Sequence, residues 1–309
     1  MRFEEADPGS PGPGWVRVRH TAVGVNYIDT YHRSGLYPLP LPSGIGLEAA
    51  GVIDALGDGV TRWKIGDRVA YGTGPVGAYS QAQNVPAERV VAIPESVSDE
   101  QAAALMLKGL TAWYLLRRTH RVKAGETILF HAAAGGVGLL ACQWAKHLGA
   151  TVIGTVGSDA KAELAKAHGC THVINYNREN FARRVGDITA GRGVAVVYDG
   201  VGKTTFDGSL DCLAPLGLMV SFGNASGPPP ALELGMLSLR GSLFITRPTL
   251  MHYTADAADL AEGAAEIFDL VAAGVMKVEI HQRFPLAEAT AAHRDLEARK
   301  TTRATVLLP

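Results

Sequence analysis

Gly135, Gly136 and Gly138 lie within TILFHAAAGGVGLLACQWAKHLG, residues 127 to 149, and their spacing suits gripping a pyrophosphate with main-chain amides. Glycine lets the backbone approach a phosphate closely, and the last of the three lets a following helix pack tightly on its strand. Aligned with GxGxxG, Ala133 takes the first position, Gly135 the second and Gly138 the third, so the fingerprint is imperfect. A tight structural turn without a ligand is the competing explanation. About twenty residues on, NAD-binding turns place a carboxylate for the ribose 2′-hydroxyl. Here the strand TVIGTV runs into Gly157 and Ser158 with no acid at its end. Lys161 follows, and a cation there can pair with a 2′-phosphate or simply sit on a solvated helix face. Asp159 biases the first turn of that helix. Spacing alone leaves both roles of Lys161 open.

These residues need a particular scaffold. Thr127 to His131 are β-branched and aromatic, as a buried parallel strand requires. Val137, Leu140, Ala141, Trp144, Ala145 and Leu148 recur at helical spacing, and Gly149 falls at a left-handed cap. Strands over 151–156, 172–175, 194–199, 218–222 and 242–246 follow, the first four separated by helices over 159–168, 180–190 and 204–213. That alternation predicts a doubly wound parallel sheet. Upstream, residues 7–14 are a turn-rich linker and Trp15 to Val25 alternates like a strand. Residues 26–38, NYIDTYHRSGLYP, read as a loop carrying Tyr27, Tyr31 and Tyr37. Glu48 to Leu56 and Arg68 to Tyr71 are further short strands, giving a barrel- or sandwich-like domain up to about residue 105. Ser98 with Gln101 forms a capping box before a helix to Leu107, continued over 109–119. After Pro248 come helices over 256–273 and 286–299 and a strand over 304–308.

A chain of 309 residues is long for one core, so two domains are expected. Its 47% hydrophobic and 19% charged residues are ordinary for a globular protein. A net charge of −1 offers no electrostatic footprint for nucleic acid or an anionic membrane. Cys142, Cys170 and Cys212 have no CxxC spacing, so neither a disulfide framework nor a structural zinc lobe is indicated. No secretory leader or membrane-spanning apolar run is evident, which favours the cytoplasm. The ten histidines read as surface or locally bonded residues, with His32 and His131 the two to check.

The stretches NYIDTYHRSGLYP, GLEAAGVI, GDRVAYG, GAYSQ, LKGLTAWYLL, HAAAGGVGLLACQWAKHLGA, VINY, VVYDGVG, SLDCLAPLGLMVSFGNASG and LEARKTTRATVLLP follow one another along nearly the whole chain. In them the sequence resembles the zinc-independent quinone oxidoreductases of the medium-chain dehydrogenase/reductase superfamily, close to ζ-crystallin. The resemblance implies an α/β fold: a Rossmann doubly wound parallel sheet plus a strand-rich GroES-like substrate domain. The implied segments are a substrate domain over 1–107, an NADPH-binding domain over 108–247, and a segment over 248–309 returning to the substrate domain. Asn26 with Tyr27, Ile28, Asp29, Thr30 and Tyr31 would lie beside the nicotinamide. Thr111 and Tyr114 would approach its ribose, and Gly135, Gly136 and Val137 would hold the pyrophosphate. Gly157, Ser158, Lys161, Tyr176 and Arg299 would surround a 2′-phosphate, which makes NADPH the expected cofactor. Val201, Gly223, Asn224, Ala225, Ser226 and the segment near Arg247 would line the cleft.

Metal-dependent relatives carry Cys where this chain has Asn26 and His where it has Leu47, so no metal is expected. Without a Lewis acid, hydride delivery suits an electron-poor acceptor such as a quinone. Asn26, Tyr31, Tyr37 and Arg247 are the candidates for meeting charge on the acceptor oxygen; packing with a wet hydroxyl is the alternative role for both tyrosines. Two other functions stay open: C=C reduction of enones or alkenals, and a non-catalytic NADPH-binding or RNA-binding role, which the balanced charge disfavours. The resemblance also implies a homodimer joined near Ser242 to Thr246. Family members normally begin with a further strand-bearing segment, and this sequence starts at about its end, so an exposed sheet edge in the first domain is expected.

Overall fold

The computed structural model describes residues 1–298 and 300–309. It comprises two compact units, residues 1–110 with 254–309, and residues 111–253. The first unit opens with β1 (Trp15–Gly24), α1 (Tyr27–Ser34), β2 (Ala49–Leu56), β3 (Arg68–Tyr71), β4 (Ala82–Pro86), β5 (Val91–Ala92) and the start of α2 (Asp99–Trp113). The second holds β6 (Thr127–Phe130), α3 (Gly136–His147), β7 (Thr151–Val156), α4 (Asp159–Ala167), β8 (His172–Asn175), α5 (Phe181–Thr189) and β9 (Val194–Asp199). It continues with α6 (Phe206–Asp211), β10 (Leu213–Ser221), α7 (Gly235–Leu239), β11 (Phe244–Thr246) and α8 (Leu250–Tyr253). The chain then returns to the first unit through α9 (Ala257–Ala272), β12 (Ile280–Pro285), α10 (Ala289–Glu297) and β13 (Ala304–Leu308).

The first unit is built on a seven-stranded, mostly antiparallel sheet in the order β12-β13-β1-β2-β3-β5. β1 is bonded by β2 on one side and, in succession, by β4 and β13 on the other. Val16, Val18, Ile53, Val69, Tyr71 and Val85 form its core, which is why β1 alternates so regularly in sequence. The second unit is a six-stranded parallel sheet, order β11-β10-β9-β6-β7-β8. Leu129, Ile153, Val197 and Met219 pack into its core. The chain runs outward from β6 to β8 and restarts at β9 on the other side of β6. The switch point therefore falls between β6 and β9, where open α/β sheets bind ligands beyond their carboxyl strand ends.

Several elements depart from their sequence reading. Residues 26–38 are not a loop: α1 occupies 27–34, because Asn26 and Asp29 form a capping box and Gly35, at φ 79°, ends the helix in the left-handed region. The helix expected to Leu107 and continued over 109–119 is α2, but its last turn, Tyr114–Thr119, is π-helical. The helix expected over 204–213 is confined to Phe206–Asp211. The following strand starts early at Leu213 and bends at Leu216, whose φ is 63°. The helix expected over 286–299 opens as a 3₁₀ turn before α10. β4, β5, β12, α7 and α8 are too short or too polar to show a period. Among the described residues no helix is long and apolar enough to cross a membrane.

Candidate functional site

At the end of β6 the chain turns through an exposed Ala132 at φ 52°, an uncommon conformation for a residue with a Cβ. Three amides fix the turn: His131 donates to Tyr198 O at 3.0 Å, Ala133 to Thr155 O at 3.1 Å and Gly135 to Ala132 O at 2.8 Å. α3 then begins behind an extended Gly135, with no side-chain cap and no acid in its first turn. Its first N–H groups thus lack intrahelical acceptors and carry the positive end of the helix. A Cβ on Gly138 would stand 2.4 Å from Ala132 O and 2.8 Å from the Ala133 backbone, so this helix can seat itself here only on glycine. The cradle fits a pyrophosphate, with Gly135, Gly136 and Val137 at its rim.

The end of β7 supplies the second part. Ser158 caps α4 by accepting the Lys161 amide at 3.3 Å. Tyr176 folds over Gly157, where any Cβ would meet its hydroxyl at 2.5 Å. Asn177 Nδ2 donates to Gly157 O at 2.7 Å. The troublesome carboxylate, Asp159, is turned to Arg178 and accepts from Asn175 Nδ2 at 2.9 Å. Asn177 and Arg178 were not legible as site residues in the sequence, because only the pairing of β7 with β8 brings them to Gly157. Arg299 lies outside the described residues.

The third part is a pair of loops following β9 and β10. Ser226 donates its amide to Val201 O at 2.8 Å, Ala225 to Gly200 O at 3.2 Å, and Lys203 to Gly227 O at 3.0 Å. A Cβ on Gly223 would lie 2.4 Å from Gly200 O, which explains the glycine. The fully buried Asp199 organises the first loop. Its Oδ1 accepts from Val201 N at 2.7 Å and Gly202 N at 3.0 Å, and its Oδ2 from Thr205 Oγ1 at 2.7 Å and Ser209 Oγ at 3.1 Å. His131 joins that network through Ser209 Oγ at 2.9 Å and Thr155 Oγ1 at 2.8 Å. Burial lowers its pKa against the opposing pull of Asp199, so it is a neutral structural imidazole. Arg247 Nη1 donates to Ser221 O, Ser221 Oγ and Gly223 O at 3.0–3.1 Å, bracing the second loop, in which Asn224 is buried. Within the same unit Tyr114 stacks on Tyr253, centroids 4.7 Å apart, beside Thr111 in the chain.

The first unit carries the remaining candidates around α1. Tyr27 and Tyr31 meet edge to face at 5.5 Å and Tyr31 and Tyr37 at 5.1 Å, so the three tyrosines form one cluster. Ile28 is half-buried beside it, and Thr30 turns its hydroxyl onto Tyr27 O at 2.7 Å. Asn26, buried at the N-cap, donates Nδ2–H to Glu48 Oε2 at 2.7 Å. Asp29 has no exposed surface, and its Oδ2 accepts the Asn26 amide at 2.8 Å and the Tyr79 hydroxyl at 2.9 Å. Its side chain therefore supports α1 from inside. Burial, with the Glu48 charge, pushes its carboxyl up to about 7 against the Asn26 and Tyr79 hydrogen bonds and Lys108.

Behind it, Tyr79 lies 2.9 Å from His293 Nε2, while Arg33 lies 3.2 Å from His293 Nδ1. Arg33 can only donate, so Nδ1 accepts and Nε2 carries the proton. Burial and the Arg33 charge lower this imidazole to about 4. The two groups act oppositely with pH. Asp29 favours the fold below the ordinary 3.8, and that contribution is lost as pH rises through about 7; the His293 contribution stands above 6.5 and fades toward about 4. Tyr79→Phe is accordingly expected to cost about 2 kcal/mol near pH 8, where Asp29 is charged, and about 1 kcal/mol near pH 5, where it is not. Urea unfolding at both values checks this; an equal loss at each would contradict it.

The donor set does not fit zinc. Asn26 offers a carboxamide already committed to Glu48, Leu47 is an alkyl group, and among the described residues no three His, Cys, Asp or Glu side chains converge to hold a metal.

Residues 12–95 match the alcohol dehydrogenase GroES-like domain family and residues 136–267 the zinc-binding dehydrogenase family. A quinone oxidoreductase of Pseudomonas aeruginosa is 57% identical over 310 residues, covering 100% of this chain and 95% of its own. A 2-haloacrylate reductase of a Burkholderia species is 50% identical over 315 residues, covering 99% and 94%. The crystal structure of Escherichia coli quinone oxidoreductase complexed with NADPH superposes with a TM-score of 0.98 at 50% identity, covering 99% of this chain and 95% of that one.

Proposed function

The chain belongs to the quinone oxidoreductases of the medium-chain dehydrogenase/reductase superfamily, and from that premise we propose how its residues carry the reaction. It is an oxidoreductase that uses NADPH to reduce a quinone. The observation that carries the residue assignment is the β7 end, where Ser158, Lys161 and Tyr176 gather and the nearest carboxylate, Asp159, is already paired with Arg178. Lys161, the Ser158 hydroxyl and Tyr176 hold the 2′-phosphate, and the Gly136 and Val137 amides hold the pyrophosphate. Val201 and residues 223–226 flank the dinucleotide, and Thr111 and Tyr114 its nicotinamide ribose. NADPH, when bound, supplies the hydride.

Asn26, Tyr31 and Tyr37 offer N–H and O–H donors to the acceptor oxygen as it gains charge, and Arg247, directly after β11, offers a guanidinium. Such donors suffice for a quinone, whose ring already accepts electrons, and do not replace a Lewis acid for alcohol chemistry. The 50% identity to a 2-haloacrylate reductase favours one other acceptor, an activated C=C bond. NADPH oxidation is expected with 9,10-phenanthrenequinone and to be slower with 2-haloacrylate or an alkenal. The reverse order would favour the second reading, and silence with all three would leave only a binding role.

The assembly proposed is a cytoplasmic homodimer joined through the β11 edge. β11 is the last strand of its sheet, with Phe244 60% exposed, and the nearby Leu239 is 82% exposed. An apolar, unpaired edge of this kind invites a second copy. Phe244→Asp is expected to convert a micromolar dimer to monomer in light scattering; a monomeric parent chain would overturn the assembly.

A further inference from the structure

Glu48 is fully buried, and the reaction as proposed above gives it no role. Its Oε1 accepts the Leu107 amide at 2.7 Å, and its Oε2 accepts both Lys108 Nζ at 3.1 Å and Asn26 Nδ2 at 2.7 Å. Lys108 is itself only 8% exposed along its side chain, so this is a buried ion pair bridging β2 and α2. The backbone is shaped around it. A Cβ on Gly24 would stand 2.2 Å from Glu48 Oε2 and 2.2 Å from Ala103 O, so the end of β1 must be glycine for the carboxylate to fit.

Buried ion pairs are seldom more stabilising than apolar side chains of the same volume. Stability alone is therefore a poor reason for this one, and its third bond says what else it does. Asn26 stands where α1 begins, ahead of the tyrosine cluster, and its carboxamide can rotate about the Cβ–Cγ bond. The capping box uses its oxygen side, and Glu48 takes one of the two Nδ2 hydrogens. With both ends held, the second Nδ2 hydrogen has one direction only.

We propose that Glu48 is a positioning residue, held by Lys108, which fixes the Asn26 carboxamide so that its remaining N–H serves the acceptor oxygen. The inference rests on the reading that places Asn26 at the acceptor. A fixed donor contributes when charge develops and little to ground-state binding, so its loss falls on kcat rather than on KM.

The test compares two double variants of the full chain, each with both charges removed so that no lone ion is left buried. Glu48→Leu with Lys108→Met has no acceptor for Asn26; Glu48→Gln with Lys108→Met keeps one in the glutamine carbonyl. With NADPH and 9,10-phenanthrenequinone, the leucine variant is expected to lose about tenfold in kcat with KM and NADPH affinity little changed, and the glutamine variant to recover most of it. Asn26→Ser, which keeps an oxygen for the cap and loses the amide, is expected to show the same loss, with no further loss when combined with the leucine variant. Equal kcat in the two double variants, with Asn26→Ser slow, overturns the positioning role alone. A fully active Asn26→Ser removes Asn26 from the acceptor, and the inference falls with it. If melting shows that the leucine variant does not fold, Glu48→Met with Lys108→Met, which also lacks an acceptor, replaces it.

Discussion

Asp199→Ala is expected to destabilise the second unit by about 3–5 kcal/mol and to abolish NADPH binding under conditions where the chain still folds. The Asp199 carboxylate has no exposed surface and answers four donors on the loop it begins. Removing it leaves the Val201 and Gly202 amides and the Thr205 hydroxyl buried without that acceptor. Each such group costs about 1–3 kcal/mol, and partial rescue by Ser209 keeps the total below their sum. The damage does not stop at the first loop. Val201 O and Gly200 O are the acceptors that hold Ala225 and Ser226, so the second loop loses its anchor as well. Thermal unfolding and a fluorescence titration with NADPH read the two effects separately. A variant within about 1 kcal/mol of the parent with unchanged affinity would show that the two loops stand without Asp199.

Lys161→Ala is expected to weaken NADPH binding by about 10- to 100-fold and NADH binding by less than about threefold. The difference isolates the 2′-phosphate, since the two dinucleotides differ nowhere else. Lys161 follows Ser158 by three residues, so the helical cap that places one donor also places the other. Asp159 would oppose an incoming phosphate were it not paired with Arg178. Arg178→Ala should therefore also raise the NADPH Kd, by exposing that carboxylate, although Arg178 need not touch the ligand. Both effects should shrink as salt is added, because the site lies at a solvent-exposed strand end. Equal losses for the two cofactors would remove Lys161 from the phosphate.

Much of this was legible in the sequence because it is written locally. The glycine spacing from Gly135 to Gly138, the apolar period of α3 and the strand–helix alternation each depend on residues within one or two turns of each other. The missing acid at Gly157 and Ser158 was equally local. Stretches whose order is imposed from outside were misread. α1 looked like a loop because its tyrosines, arginine and histidine obscure an apolar face, and only Asn26 and Gly35 at its ends mark it as a helix. β4 and β12 are polar sequences made strands by one partner each, β1 and β13.

By itself, then, the sequence determined a parallel α/β unit with a glycine-rich turn at the start of a helix, a strand-rich companion, and Asn26 and Leu47, which do not suit zinc. Tertiary structure alone decided which polar groups face one another: Arg178 against Asp159, Asp199 under the loops that follow β9 and β10, Glu48 between Asn26 and Lys108. The physical reason is that periodicity reports which face of an element is buried, whereas a buried carboxylate finds its donors only once strand register and helix packing have set their distances.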